Sequence, residues 1–159
     1  MTREDAPSAA ASTQTAGQMT REEIVAFFDR WQEAIDNLDA AALAALYAED
    51  CVVESPTAAG TVTGREAVEK VFRTWFSAFL DLKVTTDDLL IDGNRVVQLV
   101  QAHGTDIGGF LGLPATGKSF SVPAVFFHEL RGREIVRERR ITDFTGVLVQ
   151  IGALKVKPV

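Results

Sequence analysis

Cysteine occurs once in this 159-residue chain, at Cys51, and histidine twice, at His103 and His128. A lone cysteine excludes an internal disulfide and a thiolate metal cluster, and Cys51 reads as a small apolar core residue. Two histidines with no carboxylate at ligand spacing make a poor metal site. Lysine and arginine number 16 against 22 aspartates and glutamates, a net charge of −6. That balance argues against nucleic acid or an anionic membrane as partner. No apolar run approaches the ~20 residues needed to span a bilayer. Residues 1–18 lack the hydrophobic centre of a signal peptide and read as a disordered leader on a cytoplasmic protein. No period of 20–50 residues is visible, which argues against a solenoid.

One motif is present without its context. Gly112-Leu113-Pro114-Ala115-Thr116-Gly117-Lys118-Ser119 fits the phosphate-loop pattern GxxxxGK[ST]. Such a loop cradles phosphate only between a buried strand and a helix N-terminus. Here the preceding residues, Gly104 to Phe110, are too rich in glycine for a buried strand. The following ones, Phe120 to Leu130, are β-branched and aromatic and read as a strand. The segment is a glycine-rich connection between antiparallel strands, and nucleotide binding is not expected.

What the chain does have is a change of periodicity. Thr20 and Glu23 form a capping box before Ile24, Phe27, Phe28, Trp31 and Ile35 at helical spacing. A short helix follows Asp39, with Leu43, Leu46 and Tyr47 apolar, and Cys51 to Ser55 reads as a strand closed by Pro56. Thr63 and Glu66 repeat the capping box before Val68, Val71, Phe72, Trp75, Phe76 and Phe79. From Asp81 the pattern alternates as strands: Leu82 to Ile91, Arg95 to Ala102, Phe120 to Leu130 and Glu134 to Asp143. A last short helix covers Phe144 to Ile151. Helices followed by a strand meander predict an α+β fold, its twisted sheet curled into a cone around the helices. The open end of a cone is a concave site for a small molecule.

Several segments carry a family resemblance: Leu46-Tyr47-Ala48-Glu49-Asp50-Cys51-Val52-Val53, Thr63-Gly64-Arg65-Glu66-Ala67-Val68, Gly104-Thr105 with Gly109 to Lys118, and Asp143 to Gly152. Together they resemble the SnoaL-like polyketide cyclases of the nuclear transport factor 2-like superfamily, over about residues 19–152, with 153–159 left as a tail. The resemblance implies a cone-shaped, cystatin-like α+β barrel with a curled antiparallel or mixed sheet. It also implies a homodimer and a buried apolar pocket that works without metal or cofactor. For activity it implies acid/base catalysis, aldol-type cyclisation or a related proton transfer on a polyketide-like or polycyclic carbonyl compound. A non-catalytic dimeric ligand-binding module and an epoxide-hydrolase-like or isomerase-like enzyme are the alternatives, since the fold hosts all three.

Candidate site residues follow from strand alternation. Arg139, Ile141 and Asp143 share one face of the last strand, and Glu138, Arg140 and Thr142 the other. Asp143 is the candidate general base, with Arg139 or His103 holding the developing enolate. Asp143 equally suits the N-cap of the helix that follows. His103 sits at a strand end where a pocket rim would lie; a backbone-bonded rim histidine is its other reading, and His128 reads as structural. Relatives often carry an acid where this chain has Arg140, and a histidine where it has Asp106. Isomerase relatives place their base before a proline, where this chain has Ser55, and Glu54 reads as a surface residue. Trp75 and Phe126 serve as core and pocket lining, with Tyr47 and Asp106 as further substrate-binding candidates. Val97, Leu99 and Val125 mark an outer sheet face for the dimer.

Overall fold

Thr20 opens the first helix, α1 (Arg21–Asp36). Its hydroxyl accepts from the Glu23 N–H while Glu23 accepts from the Thr20 N–H, the expected capping box. The computed structural model describes residues 17–56 and 60–157, so the leader, Gly17 and Gln18 apart, lies outside the described residues. Helix α1 buries Ile24, Phe27, Phe28, Trp31 and Ile35, the stripe that its sequence spacing predicts. Asp39 caps the short α2 (Ala40–Ala44).

The next strand starts earlier than its pattern suggested. Strand β1 (Tyr47–Ser55) begins at Tyr47, which joins the sheet instead of ending the helix. Strand β2 (Gly60–Thr63) then leads into α3 (Arg65–Ala78). The second capping box is not formed. Thr63 is held in β2 opposite Val52, and Gly64 becomes the N-cap without a side-chain bond. Its φ of 92° turns the chain from strand to helix and lets its N–H reach the Cys51 carbonyl at 2.8 Å. Only glycine takes that conformation without strain.

Four long strands complete the sheet: β3 (Lys83–Asp92), β4 (Arg95–Thr105), β5 (Ser119–Arg131) and β6 (Glu134–Thr142), followed by α4 (Phe144–Gln150). The sheet order is β2-β1-β6-β5-β4-β3, antiparallel except for the parallel β1/β6 pair. Register shifts between Thr86 and Asp88 and between Glu129 and Leu130 add local twist. The sheet curls around α1 and α3 without closing, and buried apolar residues from Met19 to Ile151 form one cluster inside it. Lys118 is followed directly by β5, so the phosphate-loop match lacks its helix. Among the described residues no helix is long and apolar enough to cross a membrane.

Candidate functional site

The inner rows of the sheet bring polar side chains into an aromatic interior. Register places Val53 beside Glu138, Glu138 beside His128, and Arg140 beside Phe126. All of these side chains face inward by strand alternation. Next to them lies a cavity of about 60 Å³ lined by Trp31, Phe72, Trp75, Phe126, Arg140 and Thr142, with Ser55 and apolar residues completing the wall.

Among the described residues Arg140 is the one charged group on that wall. Its guanidinium stands over Phe72 and Phe126, with Cζ 4.8 and 5.3 Å from the ring centroids. Its Nε donates to Glu138 Oε1, and an Nη2–H lies 3.4 Å from the Tyr47 hydroxyl. Glu138 is fully buried and also accepts from Tyr47. Burial pushes its carboxyl up, but Arg140, His128 and Tyr47 outweigh burial and hold it at about 2, below the usual 4.5. Burial and then the Glu138 charge push the Tyr47 phenol well above its ordinary 10, so it remains a donor. Burial lowers the Arg140 value, and Glu138 then raises it above the arginine norm; the side chain is a fixed cation.

Behind this pair runs an oriented hydrogen-bond chain. Gln32 donates to the Val84 carbonyl, Thr86 donates to Gln32, and Gln98 donates to Thr86. The Gln98 oxygen therefore faces His128 Nε2, at 3.2 Å, as acceptor. His128 Nδ1 lies 3.2 Å from Glu138 Oε2 but off line for a formal hydrogen bond. His128 is thus buried between Gln98 and Glu138.

The sequence-derived candidates divide accordingly. Trp75 and Phe126 line the cavity. Tyr47 is fully buried one step behind Arg140, holding Glu138 instead of forming the wall. The last strand alternates as expected, but the inward face is the other one. Arg139 points outward and pairs with Glu54 at 2.6 Å, and Ile141 is 56 % exposed. Asp143 is exposed beyond Thr142 and caps α4 through the Gly146 N–H at 2.8 Å. His103 is exposed on the outer side of β4, next to the lining residue Ala102. Asp106 is buried away from the cavity. It accepts from the N–H groups of Gly109 and Thr116 and from the Thr116 hydroxyl, tying the glycine loop together. Glu54 takes the surface role expected and pairs there with Arg137 and Arg139, and Ser55 takes the inward position before Pro56. The residues missed as site members were Arg140 and Glu138. Their only signal was the alternation of the last strand, and with Ile141 on the opposite face it pointed both ways.

The arrangement can hold an oxygen that carries or develops negative charge. A fixed cation sits in an apolar aromatic wall, where electrostatic attraction is strengthened by the exclusion of water. Among the described residues no group of His, Cys, Asp and Glu is placed to hold a metal ion.

Comparison with known proteins gives this geometry a family. The structure resembles TsrD from Streptomyces laurentii (TM-score 0.76, 25% identity), covering 86% of this chain and 99% of that one. It also resembles IdmH, a proposed polyketide cyclase from Streptomyces antibioticus (TM-score 0.69, 27% identity), over 80% of this chain and 97% of that one. A protein of ketosteroid isomerase-like fold from Catenulispora acidiphila aligns with a TM-score of 0.70 at 23% identity, covering 83% and 97%, a likeness of fold alone. No curated protein sequence matches the chain. The model of the SnoaL-like domain matches residues 14–138, and the chain belongs to that family.

Proposed function

We propose that this protein is a small-molecule enzyme acting on an apolar, polyketide-like carbonyl compound, whose enolate oxygen is held by Arg140. One observation carries the reading: a buried guanidinium, anchored by Glu138 and standing over Phe72 and Phe126, is part of the cavity wall. Arg140 takes the role first considered for Arg139. Proton removal falls to Asp143, the carboxylate that follows the lining residue Thr142, and aldol-type ring closure follows from the enolate. The cavity is smaller than the ~300–1,000 Å³ of a typical ligand site. Trp75 also borders an outer groove of about 310 Å³ lined by Val62, Val71, Phe110 and Leu111, so its displacement would join the two spaces.

A second reading is a non-catalytic binding module. It is favoured by the lining itself, which among the described residues contains no carboxylate or imidazole. Exchange of the α-protons of 1-tetralone in D₂O, followed by NMR, separates the two. The enzyme reading expects accelerated exchange that is lost in Arg140→Met and reduced ~10²–10⁴-fold in Asp143→Asn. Asparagine caps a helix as well as aspartate does, so Asp143→Asn should keep its stability while Asp143→Ala loses about 1 kcal/mol. Tetralone that binds without accelerated exchange selects the binding module. Exchange unchanged in Asp143→Asn removes that residue as the base.

A further inference from the structure

His128 stands between two acceptors, and each of them requires a proton from its ring. The direction of the hydrogen-bond chain is set at its far end. Gln32 Nε2 lies 2.6 Å from the Val84 carbonyl, which can only accept. The Gln32 oxygen is therefore turned to Thr86, whose single hydroxyl proton goes to it at 3.1 Å. Thr86 is then left to accept from Gln98 Nε2 at 2.7 Å, and the Gln98 oxygen faces His128 Nε2. On the other side of the ring, Nδ1 lies 3.2 Å from Glu138 Oε2, both side chains being fully buried. Glu138 is ionised, its carboxyl held at about 2, and has no proton to offer. A neutral ring protonated at Nε2 sets a bare Nδ1 against this carboxylate. The other tautomer sets a bare Nε2 against the Gln98 oxygen. Only the imidazolium, with a donor at each nitrogen, meets both acceptors. Burial opposes the charge, but a carboxylate at this distance favours it. As the ring stands, Nδ1 has no in-line partner, and a small turn brings its N–H onto Oε2.

We infer that His128 is a buried imidazolium and a positioning residue, which shares Glu138 with Arg140 and whose proton governs how that guanidinium is held. Glu138 Oε1 takes the Arg140 Nε–H, while Oε2 takes the Tyr47 hydroxyl with His128 Nδ1 beside it. The ionisable groups tied to the ring are thus Glu138 and Arg140 on β6 and Tyr47 on β1. Cys51 on β1 also lies within reach of the Glu138 charge. The remaining neighbours are uncharged: Gln98 on β4, Phe126 on β5 and Phe28 on α1, whose ring centroid is 4.9 Å away. With its proton, His128 leaves this buried group one positive charge in excess beside the cavity wall. Rising pH removes that charge and turns a lone pair toward Glu138, which loosens the anchor of Arg140. The inference stands on the hydrogen-bond directions and does not require the ligand reading above.

NMR of the ¹⁵N-labelled full chain tests this without any ligand. The chain has two histidines, and His103→Gln assigns their ring nitrogens. Near neutral pH both ring nitrogens of His128 should be protonated and show the similar shifts of an imidazolium. A ring with one bare nitrogen, its shift far from that of the other, overturns the inference. Gln98→Leu removes the acceptor at Nε2, and there the ring should become neutral with its proton on Nδ1, against Glu138. A Gln98→Leu ring that keeps both protons refutes the part given to the hydrogen-bond chain. The Arg140 Nε–H resonance, assigned by its loss in Arg140→Met, should move in step with the His128 proton as the pH is raised. An Nε–H that stays in place through that titration refutes the positioning role. Through-bond correlations give the same assignments in the wild type, so its spectra decide both points even if a variant fails to fold.

Discussion

Arg140 and Glu138 are held by each other, and neither is tolerable alone. Removing one partner of a buried ion pair strands a charge and costs ~3–5 kcal/mol, so Glu138→Gln should lower stability by about that amount in denaturant unfolding. The wild type should also respond to acid. The folded-state carboxyl of Glu138 sits at about 2 against an ordinary 4.5. A depressed value means that its stabilisation is fully present above pH ~4.5 and is lost progressively as the pH falls toward about 2. Glu138→Gln should lack this limb of the acid profile; a profile identical to that of the wild type would show that the carboxylate is not the titrating group.

At the scale of elements, the glycine loop is pinned to the end of α3. The N–H groups of Ile107 and Gly108 both donate to the Ala78 carbonyl, at 3.1 and 3.0 Å. A Cβ on Gly108 would fall 1.9 Å from the Ser77 carbonyl oxygen, a backbone atom with little freedom to yield. Gly108→Ala should therefore push the loop off the helix at a cost of ~1–3 kcal/mol. Thermal unfolding that shows no loss would mean that the contact is not maintained in solution. The same loop places Phe110 against Trp75, with ring centroids 4.9 Å apart, so displacing it should also loosen the wall between cavity and outer groove.

For the whole molecule, the outer sheet face is the feature that carries exposed apolar side chains. Leu90, Leu99, Phe127 and Ile141 are exposed there, Phe127 at 42% and Ile141 at 56%. Register sets Arg139, Phe127, Val97 and Leu90 in one row across β6, β5, β4 and β3, with Ile141, Val125 and Leu99 in the next. A continuous apolar patch rimmed by Arg95, Arg137 and Arg139 is of the kind that two-fold dimers cover. We expect sedimentation to give a dimer at micromolar concentration and Phe127→Asp to give a folded monomer. A monomeric wild type would contradict the assignment.

Much of this architecture could be read from local pattern. The Thr20–Glu23 cap, the apolar stripes of α1 and α3, the four long strands and the short helix after Asp143 depend on neighbours in sequence, and they formed where expected. Where a local signal met a tertiary competitor, the competitor won: Thr63 pairs with Val52 instead of capping α3, and Tyr47 enters the sheet to reach Glu138. The site turned on a choice of parity. Alternation along β6 divides its side chains into two sets, but it tells inside from outside only when one face is polar. Here Ile141 and Phe127 make the outer face apolar as well, while Glu138 and Arg140 are polar on the inner one. The sequence by itself determined the α+β fold and the two candidate sets of side chains. Only the curl of the sheet around α1 and α3 decided that Arg140 points inward, because its burial is tolerable only beside Glu138, Tyr47 and the faces of Phe72 and Phe126.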